Sequence, residues 1–266
     1  MSKGLRFFAK DYNNIGLGGT VTASSADGTK EFAFDGLIST KWLTSGEGTD
    51  GDAVSLEMDY GTNRQFDCFY VYNTNIEDIV IAYWNGSSWV DVDSSNAAIV
   101  KSSGNNFVFA KMNSEITTQK VRITGSNTID ADNEKYVTQF LAFAELGQFE
   151  YFPTLRPRIK NYQNKFKTSI GKNIIIDRGE VFEADIVFKS HVNANDIALA
   201  TTLLERKETF YIWPNGGDED IFSYSFKPYR FKDIFKVSIV DDNNPEFTKN
   251  YYKSGYNNII KVVEAA

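Results

Sequence analysis

The chain has 266 residues and a net charge of −7, and its 21 Phe, 14 Tyr and 4 Trp stand beside only 5 Pro. This length suits one large or two ordinary domains with a proper core, and the aromatic content favours a β-rich protein. The single cysteine, Cys68, excludes an internal disulfide and a zinc site of several cysteines within one chain. The single histidine, His191, likewise excludes clustered-histidine metal sites and paired-histidine catalysis.

The two parts of the chain differ in charge. Residues 1–150 carry 11 basic and 20 acidic side chains, net −9, whereas residues 151–266 carry 17 and 15, net +2. The acidic first part argues against wrapping of nucleic acid. No apolar run approaches the about 20 residues of a membrane span, and the N-terminal residues lack the pattern of a signal peptide. We therefore expect synthesis in a cytoplasm and no membrane span.

The first elements along the chain are short strands and one marked turn. Residues 5–12 are typical of a strand or a docking arm. The apolar run Phe32-Ala33-Phe34 ends at Asp35-Gly36, where glycine permits a tight turn. Such a turn can join two strands, or its carboxylate, hydroxyl and carbonyl oxygens can converge on a hard cation such as Ca²⁺.

The middle of the first part is a series of predicted strands. Val54 to Tyr60 alternates as a half-buried strand does. Residues 66–72 form an aromatic strand in which Cys68 is expected to be a buried thiol. The dipeptide Asn85-Gly86 predicts a hairpin after the strand 78–84. Further predicted strands are 97–101, 106–112, 119–124 and 137–149.

Three side chains in these strands are candidates for ligand binding. Trp84 and Trp89 flank the predicted hairpin, so each can stack on a sugar ring or pack within the protein. Arg122, within Val-Arg-Ile, is either a sheet-surface residue or the anchor for an anionic group.

The prolines of the segment 150–157 predict an extended connection between domains. We therefore place one domain at residues 1–151 and another at 152–266. The second part contains the best predicted helix, from Asn193 to about Lys207, with strands on both sides. This arrangement favours an α+β domain with an antiparallel sheet or barrel and one helix.

A series of short motifs resembles the discoidin, or coagulation-factor type C, domains, which are galactose-binding-like jelly rolls. The matching stretches are Asp35-Gly36 followed by Thr40-Lys41-Trp42, Asp59-Tyr60-Gly61, Trp84-Asn85-Gly86-Ser87-Ser88-Trp89, Val121-Arg122-Ile123 and Phe143-Ala144-Glu145-Leu146. The resemblance covers about residues 15–149 and implies a jelly-roll β-sandwich there. It also implies that Asp35, Thr40 and Glu145 bind a structural Ca²⁺ and that Trp42 lies in the core. The disulfide of many extracellular members is absent.

The second part resembles the tube-like β-domain with one helix that phage tail tube and distal tail proteins share. The resemblance lies in the layout, the turn Trp213-Pro214-Asn215-Gly216-Gly217 and the run from Ile259 to Glu264. Domains of this kind pair their sheet edges between subunits to form rings. Distal tail proteins have the two domains in the reverse order. The resemblance implies a homo-oligomer that contacts other tail proteins.

No nucleophile elbow, phosphate loop or dinucleotide fingerprint occurs in the sequence, so we expect no catalytic residues and no enzyme. A hydrolase with a binding module is a third alternative, which needs a pair of catalytic carboxylates that the sequence does not locate. The resemblances lead to the prediction of a structural protein in the tip or baseplate of a phage tail, located in the virion. Contact with a cell-surface glycan through the first domain would be an added role. The alternative is a carbohydrate-binding protein or accessory module that acts through the N-terminal jelly roll.

Overall fold

A computed structural model describes residues 6–8, 19–25, 29–37, 39–45, 49–101, 107–130, 134–148, 154–167, 173–191, 194–204, 209–213, 235–240, 248–250 and 255–264. The chain divides into two compact units. The first unit is formed mainly by Ala9–Glu145, and the second by Leu146–Ala266 together with Ser2–Phe8.

Nearly all the described secondary structure is β-strand. In chain order the strands are β1 (Arg6–Phe8), β2 (Thr20–Ala23), β3 (Trp42–Leu43), β4 (Val54–Thr74), β5 (Ile76–Trp84), β6 (Trp89–Asp91), β7 (Ala97–Lys101), β8 (Phe107–Thr128), β9 (Tyr136–Phe143), β10 (Glu145–Gln148), β11 (Thr154–Lys167), β12 (Asn173–His191), β13 (Phe210–Trp213), β14 (Phe235–Ile239), β15 (Thr248–Asn250) and β16 (Gly255–Glu264). A 3-10 helix covers Lys30–Phe34 and an α-helix, α1, covers Ala194–Leu204.

The first unit is an antiparallel β-sandwich. Its strand order is β3-β9-β4-β8-β5-β6, with β2 also paired to β4 and β7 to β8. The long strand β4 has two register irregularities in its pairing with β8, between residues 59 and 68. Before them Leu56 and Met58 point into the core, and after them Phe69 and Val71 do so. The core-facing residues named here are even-numbered before the irregularities and odd-numbered after them. One extra residue shifts the alternation of a strand in this way, so both halves of β4 face one core.

The core beneath the Asp35 turn contains Trp42, as predicted. Its side chain is fully buried, and its indole N–H donates a hydrogen bond to the carbonyl oxygen of Ser25 over 3.3 Å. Phe34, from the 3-10 helix, packs against Phe140 of β9 with ring centroids 5.8 Å apart. The apolar run before Asp35 and the indole after it therefore fix both ends of the turn to the core.

The second unit has an eight-stranded sheet and the helix α1. The strand order is β10-β1-β13-β14-β16-β12-β11, with β15 also paired to β16. Ala200 and Leu203 of α1 belong to the core cluster of this unit, together with Ile186 and Val262 from its sheet. The predicted fold class, a mainly β chain with a jelly-roll sandwich followed by an α+β part, is confirmed in this architecture. The predicted last turn of the helix lies outside the described residues.

The N-terminal strand β1 belongs to the second unit. Its residues Arg6, Phe7 and Phe8 pair with Trp213, Ile212 and Tyr211 of β13, and Phe7 lies in the core cluster of that unit. The prediction of a domain at residues 1–151 assigned this strand to the first domain. A strand of three residues is too short for its sequence to indicate which distant strand it pairs with.

The predicted connection between the domains is partly a strand. β11 begins at Thr154 and includes Pro157, which pairs with Ala184 of β12. Since β11 is the last strand in the sheet order, the missing N–H of Pro157 can face away from the sheet without breaking a ladder. Pro153 lies outside the described residues. Within the described residues, no helix has the length and apolar character needed to cross a membrane.

Candidate functional site

The two tryptophans and the arginine proposed from the sequence lie together on one face of the first sheet. Trp84 of β5 pairs with Trp89 of β6, and Ala82 of β5 pairs with Arg122 of β8. Paired residues share a face, and alternate residues of a strand do so too. Ile123 points the opposite way and lies in the core. Trp84, Trp89 and Arg122 therefore point outward, and we call this group the aromatic face.

The side chains of the aromatic face contact one another directly. The indole rings of Trp84 and Trp89 pack edge to face, with centroids 5.7 Å apart and planes at 68°. The guanidinium carbon of Arg122 lies 4.2 Å from the centroid of the Trp89 ring, within the range of a cation–π contact. All three side chains are half-buried. The Nε atom of Arg122 has no hydrogen-bond partner among the described residues.

The turn between Trp84 and Trp89 is held rigid by the side chain of Asn85. The Oδ1 atom of Asn85 accepts hydrogen bonds from the backbone N–H groups of Ser87 and Ser88, each over 2.9 Å. The backbone N–H of Asn85 donates to the carbonyl oxygen of Ser88 over 3.0 Å. Gly86 has a φ of 100°, a value that favours glycine. The predicted hairpin is confirmed, and it fixes the spacing of the two indoles.

The neighbouring cation on the same face, Lys120, is bound by two carboxylates. Its Nζ atom lies 3.3 Å from Oε1 of Glu57 and 3.0 Å from Oδ2 of Asp59. Burial alone would raise the pKa of Asp59, but hydrogen bonds from the Gly61 N–H, Lys120 and Gln119 outweigh it and lower the pKa. Glu57 is the register partner of Arg122 between β4 and β8, but its carboxylate, like that of Asp59, contacts Lys120.

This arrangement can bind a ligand that has both an apolar face and polar edges. Indole rings offer flat apolar surface, and a guanidinium offers N–H donors in a fixed plane. Asp91 of β6, paired with Ala82, adds an exposed carboxylate as a hydrogen-bond acceptor nearby.

The predicted cation ligands Asp35 and Thr40 lie together, but their oxygens are already bonded. The Thr40 hydroxyl donates to Oδ2 of Asp35 over 2.6 Å, and the Leu37 N–H donates to Oδ1 over 2.7 Å. The side-chain amide of Gln139, from β9, reaches into the same turn. Its Nε2 atom lies 3.2 Å from the carbonyl oxygen of Phe32, 3.1 Å from Oδ1 of Asp35 and 2.9 Å from the carbonyl oxygen of Leu37.

Glu145, the third predicted cation ligand, belongs to a different cluster. Its Oε2 atom lies 3.2 Å from Nζ of Lys111, which also contacts Asp67, and its N–H donates to Oδ1 of Asp67 over 2.7 Å. Cys68 is buried beside them. Burial, and then the charge of Asp67, raise the pKa of the Cys68 thiol well above its ordinary value.

The residues present therefore do not fit the predicted calcium site. A cation would need Glu145, which is paired with Lys111, and space among the oxygens that the Gln139 amide contacts. Within the described ranges, no group of three or more His, Cys, Asp or Glu side chains could hold a metal ion. The predicted absence of catalytic residues stays a prediction.

The sequence reasoning missed two residues of the first unit, Gln139 and Lys135. Gln139 sits in a predicted strand, where a polar residue gives no hint of the turn that it reaches. Lys135 is fully buried, and its Nζ atom has no hydrogen-bond partner among the described residues. Its charge helps lower the pKa of Asp50, although hydrogen bonding to the Thr128 hydroxyl is the main cause.

Comparison with known proteins gave similar solved structures but no match to a protein-family model or to a curated protein. A family 32 CBM from C. perfringens NanJ in complex with galactose is 20% identical, covers 52% of this chain and 98% of its own, and has a TM-score of 0.40. Chitosan-binding module 1 of a chitosanase/glucanase from Paenibacillus sp. IK-5 is 20% identical and covers 48% of this chain and 97% of its own, at 0.38. The CBM32 of AlyQ in complex with 4,5-unsaturated mannuronic acid is 23% identical and covers 51% and 98%, also at 0.38.

These similarities concern about half of the chain and, at these identities and scores, identify no ligand for it. None of the three structures is a phage tail protein. The predicted place in a phage tail, the ring of identical subunits and the virion location stay predictions that rest on the resemblance alone.

Proposed function

We propose that the first unit is a carbohydrate-binding module and that it binds its glycan on the aromatic face. The observation that carries the proposal is the position of the Arg122 guanidinium, 4.2 Å from the centroid of the Trp89 ring, which in turn packs against Trp84. One surface thus presents an apolar plane and hydrogen-bond donors at a fixed distance from each other.

This combination matches the chemistry of a sugar ring. The C–H groups on one side of a pyranose pack on an aromatic plane, while the hydroxyls at its edge need donors and acceptors. The rigid Asn85 turn holds the indoles in place before binding, which lowers the entropic cost of ordering them.

The charges of the face favour a ligand with acceptor groups near Arg122. Lys120 takes up Glu57 and Asp59, and the guanidinium keeps its contact with an indole. Hydroxyl or carboxylate oxygens of a glycan can accept from a guanidinium that is presented in this way. Asp91, which is exposed, can accept from a sugar hydroxyl.

A glycan array with the full chain tests the proposal. Galactosides, chitosan oligosaccharides and uronate oligosaccharides are suitable probes, since the similar structures include modules bound to galactose and to an unsaturated mannuronic acid, and a chitosan-binding module. The best probe is then titrated calorimetrically into the wild type and into Trp89→Ala. We expect Trp89→Ala to weaken binding at least about 30-fold, the effect of removing a central aromatic anchor.

Phe32→Ala is the matched control. Phe32 is an exposed aromatic residue on the 3-10 helix rather than on the aromatic face, so its removal should leave affinity unchanged. Binding that survives Trp89→Ala in a folded protein, or an array with no bound glycan, would contradict the proposal. A thermal scan of each variant separates lost binding from lost fold.

A further inference from the structure

The amide group of Gln139 lies among the oxygens that a cation bound at the Asp35 turn would use. We propose that this amide closes the turn in place of a metal ion, so that the first unit folds independently of calcium. The proposal concerns the stability of the first unit and does not depend on glycan binding.

The contact distances are those of hydrogen bonds. Nε2 lies 2.9–3.2 Å from two carbonyl oxygens and one carboxylate oxygen, whereas Ca²⁺ binds oxygens at about 2.3–2.6 Å. An amide nitrogen donates through two N–H groups, and three acceptors surround them here.

The backbone N–H of Gly36 fixes which end of the amide faces the turn. This N–H donates to Oε1 of Gln139 over 3.2 Å. Reversing the amide would place its oxygen against three other oxygens and its nitrogen against a donor, which leaves donors and acceptors unmatched. Gln139 is buried, with 3% of its surface exposed, so such mismatches would be costly.

The charge in the turn is also too small for a tightly bound divalent ion. Asp35 is the only acidic side chain among the described residues that contact the Gln139 amide, and Glu145 pairs with Lys111 elsewhere. The affinity of a calcium site rises with the number of charged ligands. A neutral amide, together with the Leu37 N–H and the Thr40 hydroxyl, satisfies one carboxylate without a metal.

The first test uses the wild-type full chain. Calorimetric unfolding is measured in EDTA and then in 2 mM CaCl₂, which exceeds the dissociation constant of a micromolar site by roughly a thousandfold. We expect the transition temperature of the first unit in EDTA to agree with that in CaCl₂ within about 1 °C, because no bound ion is lost. A calcium-dependent rise of about 5 °C or more would overturn the proposal.

The second test converts the amide into a ligand. Gln139→Glu places a second carboxylate beside Asp35, so we expect the variant to unfold at lower temperature in EDTA and to regain at least about 5 °C in CaCl₂. Gln65→Glu is the matched control, because Gln65 is an exposed residue of β4 and should gain no response to calcium. A folded Gln139→Glu protein without a calcium response would overturn the placement of the amide among these oxygens.

A third readout uses the wild type alone. The side-chain N–H₂ signals of Gln139, assigned through their correlations with the side-chain carbons of the same residue, should be protected from exchange with solvent, as buried donors are. Rapid exchange of these protons would contradict their hydrogen bonding within the turn.

Discussion

The Asp35 turn and the aromatic face are two polar regions of the same unit, and they differ in how completely their polar groups are bonded. At the turn, the carboxylate of Asp35 accepts from Leu37, Thr40 and Gln139. On the face, the Nε atom of Arg122 has no hydrogen-bond partner among the described residues. A bonded region contributes to folding, whereas the half-exposed Arg122 guanidinium, which packs on an indole rather than on a carboxylate, is the group that we propose to contact a ligand.

The same contrast exists within a single strand. Lys120 and Arg122 lie two residues apart on one face of β8, yet Lys120 contacts two carboxylates and Arg122 contacts an indole. The two cations lie on the same face of the sheet and differ in the side chains that contact them.

The largest expected effect comes from breaking the bonded region. Gln139→Leu keeps the size of the side chain but removes every hydrogen bond that the amide makes, which leaves the acceptors of the part-buried turn and the Gly36 N–H without this partner. We expect a loss of about 3 kcal/mol in the free energy of unfolding, measured by urea denaturation. Gln65→Leu, on an exposed position, should change it by less than about 0.5 kcal/mol.

The next effect contrasts the two cations of β8. Arg122→Ala should weaken glycan binding about tenfold or more and change the free energy of unfolding by less than about 1 kcal/mol, because no ion pair is lost. Lys120→Ala should leave binding within about twofold and lower stability, because Glu57 and Asp59 then repel each other. Calorimetric titration and urea denaturation of both variants check this, and equal effects on binding would remove the contrast.

A buried charge outside both regions provides a third test. Lys135 is fully buried, and its Nζ atom has no hydrogen-bond partner among the described residues. Lys135→Met retains the volume and removes the buried charge. The loss of its attraction to the Asp50 carboxylate offsets part of this effect, so we expect a net gain of about 1 kcal/mol in the free energy of unfolding. Lys101→Met, at an exposed position, is the control. A marked loss of stability in Lys135→Met would show that the ammonium group has a stabilising role.

The smallest effect is a dependence of stability on pH. The pKa of Asp59 is lowered in the folded chain, so its contribution is fully present above the ordinary pKa of 3.8 and is lost as the pH falls through the lower, folded value. The contribution is that of a surface ion pair, about 0.5 kcal/mol. Urea denaturation between pH 5 and pH 2.5 should show a shallower fall for Asp59→Asn than for the wild type, and parallel curves would contradict it.

The sequence predicted the fold class well because the relevant signals are local. Alternation in Val54 to Tyr60 and the Asn85-Gly86 dipeptide each predicted an element that the structure contains. The pairing of Trp84 with Trp89 followed from the predicted hairpin, and these are two of the three side chains of the aromatic face.

What the sequence could not predict depends on contacts between distant residues. Gln139 reaches the Asp35 turn across 104 positions, and no local pattern links an amide in a strand with a remote turn. Glu145 follows the motif of the resemblance, but its position opposite Lys111 depends on the pairing of β4 with β8. The contact of Arg122 with Trp89 depends on the neighbouring order of β8, β5 and β6.

The place of β1 in the second sheet makes the first unit an insertion. The chain contributes one strand to the sheet of the second unit, builds the whole first unit, and then returns with β10 as the immediate neighbour of β1. Cutting the gene at the predicted border near residue 152 would therefore yield a C-terminal fragment that has lost two adjacent strands and exposes the edge of β13. During translation, β1 must wait for β13 to emerge before it can pair, so the inserted unit can complete its own core first.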